Sequence, residues 1–130
     1  MNPELRTYFD EQLEQVLPEL PEQVQKFMNE VPLVVEDYPA PEIMRQMRVR
    51  NRSALCGLYT GIPLIKRSIN HSGVPSDVIH IYRLGILSQS RGLHGINQAE
   101  LRKQIRFTIL HEYGHHVGLT ERDLRDLGYG

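Results

Sequence analysis

Apolar residues recur at helical spacing near the start of the chain and predict two helices there. Asn2 is a potential N-cap in front of Pro3, a residue well suited to a first helical turn. The apolar positions that follow lie on one helical face: Leu5, Phe9, Leu13, Val16 and Leu17. Pro18 and Pro21 break this helix, and Pro21 suits the first turn of a second short helix over residues 20–28.

The most regular helical pattern lies in the last third of the chain. Asn97 and Glu100 have the spacing of a capping box and predict the start of a helix. Apolar residues continue that helix at Leu101, Ile105, Ile109 and Leu110. Gly118 predicts its end, and Thr120 predicts the start of a last short helix.

Short apolar runs between these helices predict strands. Residues 31–37 are rich in β-branched side chains, and Pro32 restricts them to an edge strand or to the start of a strand. Residues 55–59 and 62–67 flank a Thr-Gly pair and predict a hairpin. Residues 77–84 alternate between apolar and polar positions, which is typical of a strand.

Two stretches carry weaker patterns. Residues 42–52 are basic and are compatible with either a helix or a loop. Residues 85–96 contain three glycines among polar residues and predict a mobile connection with at most one helical turn. Neither stretch changes the expected α+β class.

Composition predicts one soluble domain spanning residues 1–130, because 40 % of the residues are hydrophobic and 24 % are charged. The net charge of −1 gives no indication of a nucleic-acid or anionic-membrane partner. No apolar run approaches the roughly 20 residues that cross a bilayer. Cys56 is the only cysteine, and the N-terminal segment lacks the features of a signal peptide, so we expect a cytoplasmic protein.

The chemistry of the chain is indicated by an H-E-x-x-H motif in the long C-terminal helix. His111 and His115 lie four residues apart and therefore project from one helical face, where both imidazoles can bind one ion. Glu112 lies farther round the helix, within reach of a water on that ion. The motif predicts a zinc hydrolase in which Glu112 is the general base.

A third zinc ligand is expected shortly after the motif. Gly118 can take a positive φ and turn the chain back, so that the string reads H-E-x-x-H-x-x-G-x-x-E and ends at Glu121. Glu121 is the best candidate by position. Asp123 and His116 are alternatives, although Asp123 equally suits the first turn of the last helix and His116 is more typical of a packed histidine. His71, His80 and His94 have no ligand-like spacing.

At these residues the chain resembles the minimal zincin-like metallopeptidase domains of bacteria, whose signature is H-E-x-x-H-H-x-G-x-x-[D/E]. The matching segments are HEYGHHVGLTERDLRDLG, LPELPEQVQKFMNEVPLVVEDYP, LCGLYTGIPLIKRS and PSDVIHIYR. The resemblance implies a compact zincin-like core, in which a small mixed β-sheet packs against the H-E-x-x-H helix beside the N-terminal helices. It also implies Zn²⁺ as the cofactor. The chain departs from the metzincins because Glu121 replaces their third histidine and no methionine follows the motif.

The expected function is hydrolysis of peptide bonds in a peptide or small protein by a zinc-activated water. The alternatives are a non-catalytic zinc-binding or interaction domain and a hydrolase of a non-peptide amide. Residues 77–84 are the obvious candidate for an exposed strand that pairs with an extended substrate, unless that strand is interior. Tyr82, Tyr113 and His80 are candidates for stabilising the oxyanion, although ordinary packing suits each of them better.

Overall fold

A computed structural model of the protein describes residues 1–61, 77–126 and 128. The helices are α1 (Pro3–Val16), α2 (Glu22–Glu30), α3 (Pro41–Gln46), α4 (Arg83–Gln89), α5 (Gln98–His116) and α6 (Glu121–Asp126), with a 3₁₀ turn at Leu17–Glu19. The strands are β1 (Leu33–Glu36), β2 (Gly57–Thr60), β3 (Val78–Tyr82), β4 (Arg91–Gly92) and β5 (Gly95–Ile96). Within these residues no helix is both long and apolar enough to cross a membrane.

The described strands form a three-stranded mixed sheet in the order β1-β3-β2 and a small β4-β5 hairpin. Strand β1 runs parallel to β3, with Leu33 opposite Ile79. Strand β2 runs antiparallel to β3, with Tyr59 opposite Ile79. The predicted α+β class with a mixed sheet is confirmed, whereas β3 is the central strand and is therefore not the substrate-pairing edge that the sequence suggested.

Helix α5 crosses the sheet and is the centre of the hydrophobic core. It packs against β2, β3, α1 and α4. Four elements supply most of the buried side chains of this core: Phe9, Leu13 and Val16 of α1, Ile79 and Ile81 of β3, Ile86 and Leu87 of α4, and Leu101, Ile105 and Ile109 of α5, with Val31 before β1. Because α5 is buried along most of its length, its last turns are held rigidly against the sheet.

The predicted caps have the expected geometry. Asn2 accepts hydrogen bonds from the backbone of Glu4 and Leu5. Asn97 accepts one from the backbone N–H of Glu100. Both helices therefore begin where the sequence predicted.

Residues 85–96 differ from the prediction of a mobile connection, and the preceding strand is shorter than predicted. The strand ends at Tyr82, and the chain passes directly into α4, where Ile86 and Leu87 are buried. Arg83 holds this corner through ion pairs with Asp10 and Asp37. These partners are distant in sequence, so local patterning could not reveal the corner.

Two further predictions concern residues 42–52 and the hairpin over residues 55–67. Residues 42–52 begin within helix α3 and continue as turns. The first half of the predicted hairpin is confirmed as β2, and its second half, residues 62–67, lies outside the described residues.

Candidate metal centre

Three predicted side chains converge at the C-terminal end of α5. His111 Nε2 lies 3.2 Å from His115 Nε2. Glu121 Oε1 lies 2.8 Å from His115 Nε2 and 3.4 Å from His111 Nε2. Among the residues that the structure describes, these three form the group of His, Cys, Asp and Glu side chains able to hold a metal ion.

The spacing of these three atoms fits a zinc ion. Ligand atoms about 2.0–2.1 Å from a tetrahedral zinc lie about 3.3 Å from each other, close to the separations of the three atoms. Two imidazoles and one carboxylate also match the ligand set of a catalytic site, in which a fourth position stays open.

The hydrogen bonding of His115 gives an independent reason to expect a cation. His115 Nδ1 lies 3.0 Å from the carbonyl oxygen of Leu119, which can only accept a hydrogen bond. In a neutral imidazole, Nε2 therefore turns a lone pair toward the Glu121 carboxylate. Two lone-pair atoms 2.8 Å apart repel unless a metal ion or a proton lies between them.

The turn after α5 explains how Glu121 reaches the two histidines. Gly118 has a φ of +99°, a conformation that glycine adopts without steric strain, and it reverses the chain. Thr120 and Asp123 then form a reciprocal cap: the Thr120 N–H donates to Asp123 Oδ2, and the Asp123 N–H donates to Thr120 Oγ1. Glu121 follows this cap in the first turn of α6.

Asp123, the alternative third ligand, is therefore placed in the helix cap and not beside the histidines. Its pKa is lowered by hydrogen bonds with the backbone and side chain of Thr120. The pKa of Glu121 is lowered too, since attraction to His111 and His115 outweighs the opposing effect of desolvation.

Glu112 lies on the inner side of the same helix and is only 8 % exposed. Burial raises the pKa of its carboxyl group, while attraction to His111 and His115 and a hydrogen bond from the backbone of Tyr59 oppose that rise. The carboxylate is thus held by strand β2 in a poorly solvated position.

Glu112 and the three candidate ligands border one open cavity of about 680 Å³. Its other walls include Met47, Leu55, Tyr59 and Leu119. A second cavity of about 290 Å³ also borders Glu112 and is lined by Cys56, Gln104 and Phe107 among others. Both cavities therefore reach Glu112.

Gly57 allows β2 to approach Glu112 closely. A Cβ atom at this position would lie 2.8 Å from Thr108 Cγ2 and 3.1 Å from Glu112 Cγ. It would also lie 3.0 Å from the carbonyl oxygen of His80. The absence of a side chain at Gly57 is therefore a requirement of the site.

His116 is a buried, hydrogen-bonded histidine, as its position on α5 suggested. Its Nδ1 lies 2.9 Å from Asp77 Oδ2, and the Tyr59 hydroxyl donates to the same oxygen over 2.7 Å. Asp77 and Tyr59 therefore connect β3, β2 and α5 beneath the cavity. Sequence reasoning missed both residues, because their partners are distant in sequence.

The three candidates for oxyanion stabilisation have other contacts. Tyr113 donates its hydroxyl to the carbonyl oxygen of Val31, and burial raises its pKa to about 12. Tyr82 is 1 % exposed. His80 Nε2 lies 3.1 Å from Glu36 Oε1. None of the three lines either of these two cavities. His94 lies in the turn of the β4-β5 hairpin, and His71 lies outside the described residues.

Comparison with known proteins agrees with this geometry. The sequence matches the family model described as zincin-like metallopeptidase over residues 28–130, which include the sheet and the whole candidate site. No curated protein matches the chain significantly. Membership of such a family implies a metal ion, usually zinc, and hydrolytic chemistry. The chain therefore belongs to the zincin-like metallopeptidase family, as the resemblance of its sequence motifs predicted.

Proposed function

We propose that the protein is a zinc-dependent peptidase in which His111, His115 and Glu121 hold the metal and Glu112 is the general base. One observation carries the proposal: the three ligand atoms converge within 3.4 Å of each other and border the same open cavity as Glu112. A site that only stabilised the fold would need neither an open cavity nor a buried carboxylate beside the ligands.

In this mechanism a bound zinc ion supplies Lewis acidity that lowers the pKa of water and polarises the scissile carbonyl. Glu112 accepts a proton from the attacking water as the new C–O bond forms. It then returns the proton to the amide nitrogen as the C–N bond breaks. The poor solvation of Glu112 suits both steps, because it raises the pKa of the carboxyl group toward neutral pH. A group with such a pKa can both accept and return a proton.

We propose that an extended peptide lies along β2. This strand, and not β3, contributes Gly57, Leu58 and Tyr59 to the wall of the larger cavity. Its antiparallel pairing with β3 keeps β2 extended, and its Tyr59 backbone donates a hydrogen bond to Glu112. An extended peptide along this wall would therefore lie next to Glu112.

The test combines metal analysis with turnover. Purified protein should contain about one zinc per chain, cleave members of a mixed peptide library, and lose cleavage on chelation and regain it when zinc is added. Zinc at full stoichiometry without cleavage of any peptide would contradict the proposal and support a non-catalytic zinc-binding domain. Cleavage that survives removal of the zinc would exclude the proposed mechanism.

A further inference from the structure

The net charge of −1 conceals a strong segregation of charge along the chain. Residues 43–76 contain six basic residues and no aspartate or glutamate. Four of the six lie close together in the described part, at Arg45, Arg48, Arg50 and Arg52, which we call the arginine segment. It begins in α3 and ends shortly before β2.

The guanidinium groups of the arginine segment are available to a ligand. All four arginines are exposed. Within the described residues, none of them forms an ion pair with a carboxylate. Arg52 is placed over the ring of Tyr38, with 4.4 Å between its Cζ and the ring centroid. Elsewhere, by contrast, Arg6 and Arg83 are both paired with Asp37.

Arg48 occupies a position that backbone geometry would assign to glycine. Helix α3 ends in a Schellman turn, in which the N–H of Val49 donates to the carbonyl of Met44 and the N–H of Arg48 to that of Arg45. Arg48 has a φ of +56°, the left-handed conformation that is strained for residues with a side chain. The fold therefore gives no reason for an arginine here, and strain of this kind is found at functional positions.

Chain neighbours of the arginine segment line the larger cavity, whereas none of the four arginines lines it. Met47, between Arg45 and Arg48 in sequence, lines the larger cavity together with Glu112 and Glu121. Leu55, three residues after Arg52, lines it as well. A divalent ion would balance the two glutamate charges inside the cavity, so the nearby arginines would add a positive potential around it.

We propose that the protein selects peptides with aspartate or glutamate side chains, which the arginine segment binds beside the scissile bond. This inference rests on the proposed peptidase function. A peptide fits better than a nucleic acid, because the cavity walls near the segment are apolar at Met47, Leu55 and Leu58. Arg52 already covers one face of the neighbouring Tyr38 ring.

Binding can be measured independently of catalysis. We would use full-length, zinc-loaded Glu112→Gln protein and fluorescently labelled twelve-residue peptides, one rich in Asp and Glu and a matched one with Asn and Gln. Fluorescence anisotropy should show tighter binding of the acidic peptide, by up to about fivefold for each exposed ion pair. The preference should disappear near 1 M salt, where the screening length is about 3 Å.

Substitutions in the arginine segment test the contact directly. In the Glu112→Gln background, Arg48→Gly should weaken binding of the acidic peptide about two- to fivefold. It should leave the melting temperature unchanged or higher, since glycine relieves the positive φ. Adding Arg50→Gln should bring the loss to about tenfold. Lys26→Gln is the control, because Lys26 is exposed on α2 and lines neither cavity.

Equal binding of the two peptides, or an acidic preference that survives Arg48→Gly with Arg50→Gln, would overturn the inference. Tighter binding of a single-stranded oligonucleotide of the same charge would overturn it in favour of a nucleic-acid partner. Turnover by the zinc-loaded wild-type protein separates the two proposals. Cleavage of both peptides at equal rates contradicts only the acidic preference, whereas tight acidic binding without cleavage contradicts the peptidase function and supports the arginine contact.

Discussion

Glu112 combines a charge with an environment that disfavours it. Its carboxyl group is almost fully buried, and its pKa is raised by that burial despite two nearby imidazoles. An apolar residue at this position would stabilise the fold more, because a buried carboxylate costs free energy. Acceptance of a proton during the reaction would explain why a carboxylate occupies this position despite the cost. A carboxylate ligand at Glu121 would reinforce the need for a base, since it leaves the bound water less acidic than a third imidazole would.

We expect Glu112→Gln to lower kcat by about 10²–10⁴, because an amide cannot accept the proton. Zinc content should be unchanged, since the three candidate ligands are intact. Inductively coupled plasma mass spectrometry and peptide turnover on the same sample test both statements. Glu100→Gln, a change of the same type in the first turn of α5, should leave turnover unaffected. Loss of zinc from Glu112→Gln, or activity close to that of the wild type, would contradict the assigned role.

Paired substitutions distinguish the two candidate ligands of α6, Glu121 and Asp123. Glu121→Gln should weaken zinc binding by more than about a hundredfold, because it removes a proposed ligand. Losing a ligand costs more zinc affinity than losing an outer hydrogen-bond partner. Asp123→Asn should leave zinc affinity nearly unchanged and only loosen the start of the helix. Competition with a chromogenic chelator measures both affinities. The reverse ranking would make Asp123 the ligand.

The contact between β2 and α5 sets the position of Glu112 at the level of secondary structure. Strand β2 approaches the helix at Gly57, and its Tyr59 backbone holds the Glu112 carboxylate. About one turn farther along α5, His116 is tied to Asp77, the residue before β3. The helix is thus held at Glu112 and again about one turn later.

Gly57→Ala should therefore impair stability and turnover together. The new methyl group meets Thr108, Glu112 and the backbone of β3, and such overpacking costs about 1–3 kcal/mol. Urea denaturation and kcat of the variant measure the two effects. Gly92→Ala is a suitable control, because the nearest atom to its added Cβ lies 3.7 Å away. Wild-type turnover in Gly57→Ala would show that the approach of β2 does not position the base.

Elements with strong local signals could be predicted from the sequence, and elements that depend on distant partners could not. The caps at Asn2 and Asn97 and the reversal at Gly118 need only neighbouring residues, and all three are found. Helix α4 was missed because Gly85 interrupts its pattern. That glycine is needed where α4 meets the backbone of Leu55, a contact that no local pattern reveals.

The candidate site shows the same division. Spacing along one helix and one turn predicts a common metal site for His111, His115 and Glu121. The structure places these three side chains in one group. The central position of β3 depends on pairing between distant segments, so local patterning could not decide between an edge and an interior position for residues 77–84. The arginine segment was overlooked because the total charge averages over it.

At the scale of the whole molecule, the candidate metal centre connects α5 and α6. Among the described residues, α6 packs on α5 through Leu124, which lies 2.5 Å from where a Cβ on Gly114 would be. The carboxylate of Glu121 beside the two histidines is a second link. A bound ion would therefore fasten the C-terminal end of the fold.

Zinc should accordingly stabilise the folded protein. A ligand present at a hundred times its Kd adds about 2.7 kcal/mol to the free energy of unfolding when only the folded state binds it. We expect the melting temperature of the zinc-free protein to rise by several degrees on addition of zinc. The rise should be absent in Glu121→Ala, and magnesium should not reproduce it. Equal shifts in wild type and Glu121→Ala would place the ion elsewhere.

The reversal at Gly118 has a consequence for how this chemistry can be lost. The four residues that begin there provide both the Leu119 carbonyl that orients His115 and the Glu121 carboxylate. A β-branched residue at position 118 would disturb both at once while leaving the helix, its two histidines and the sheet in place. A peptidase of this design and an inert domain of the same shape would then differ by one side chain.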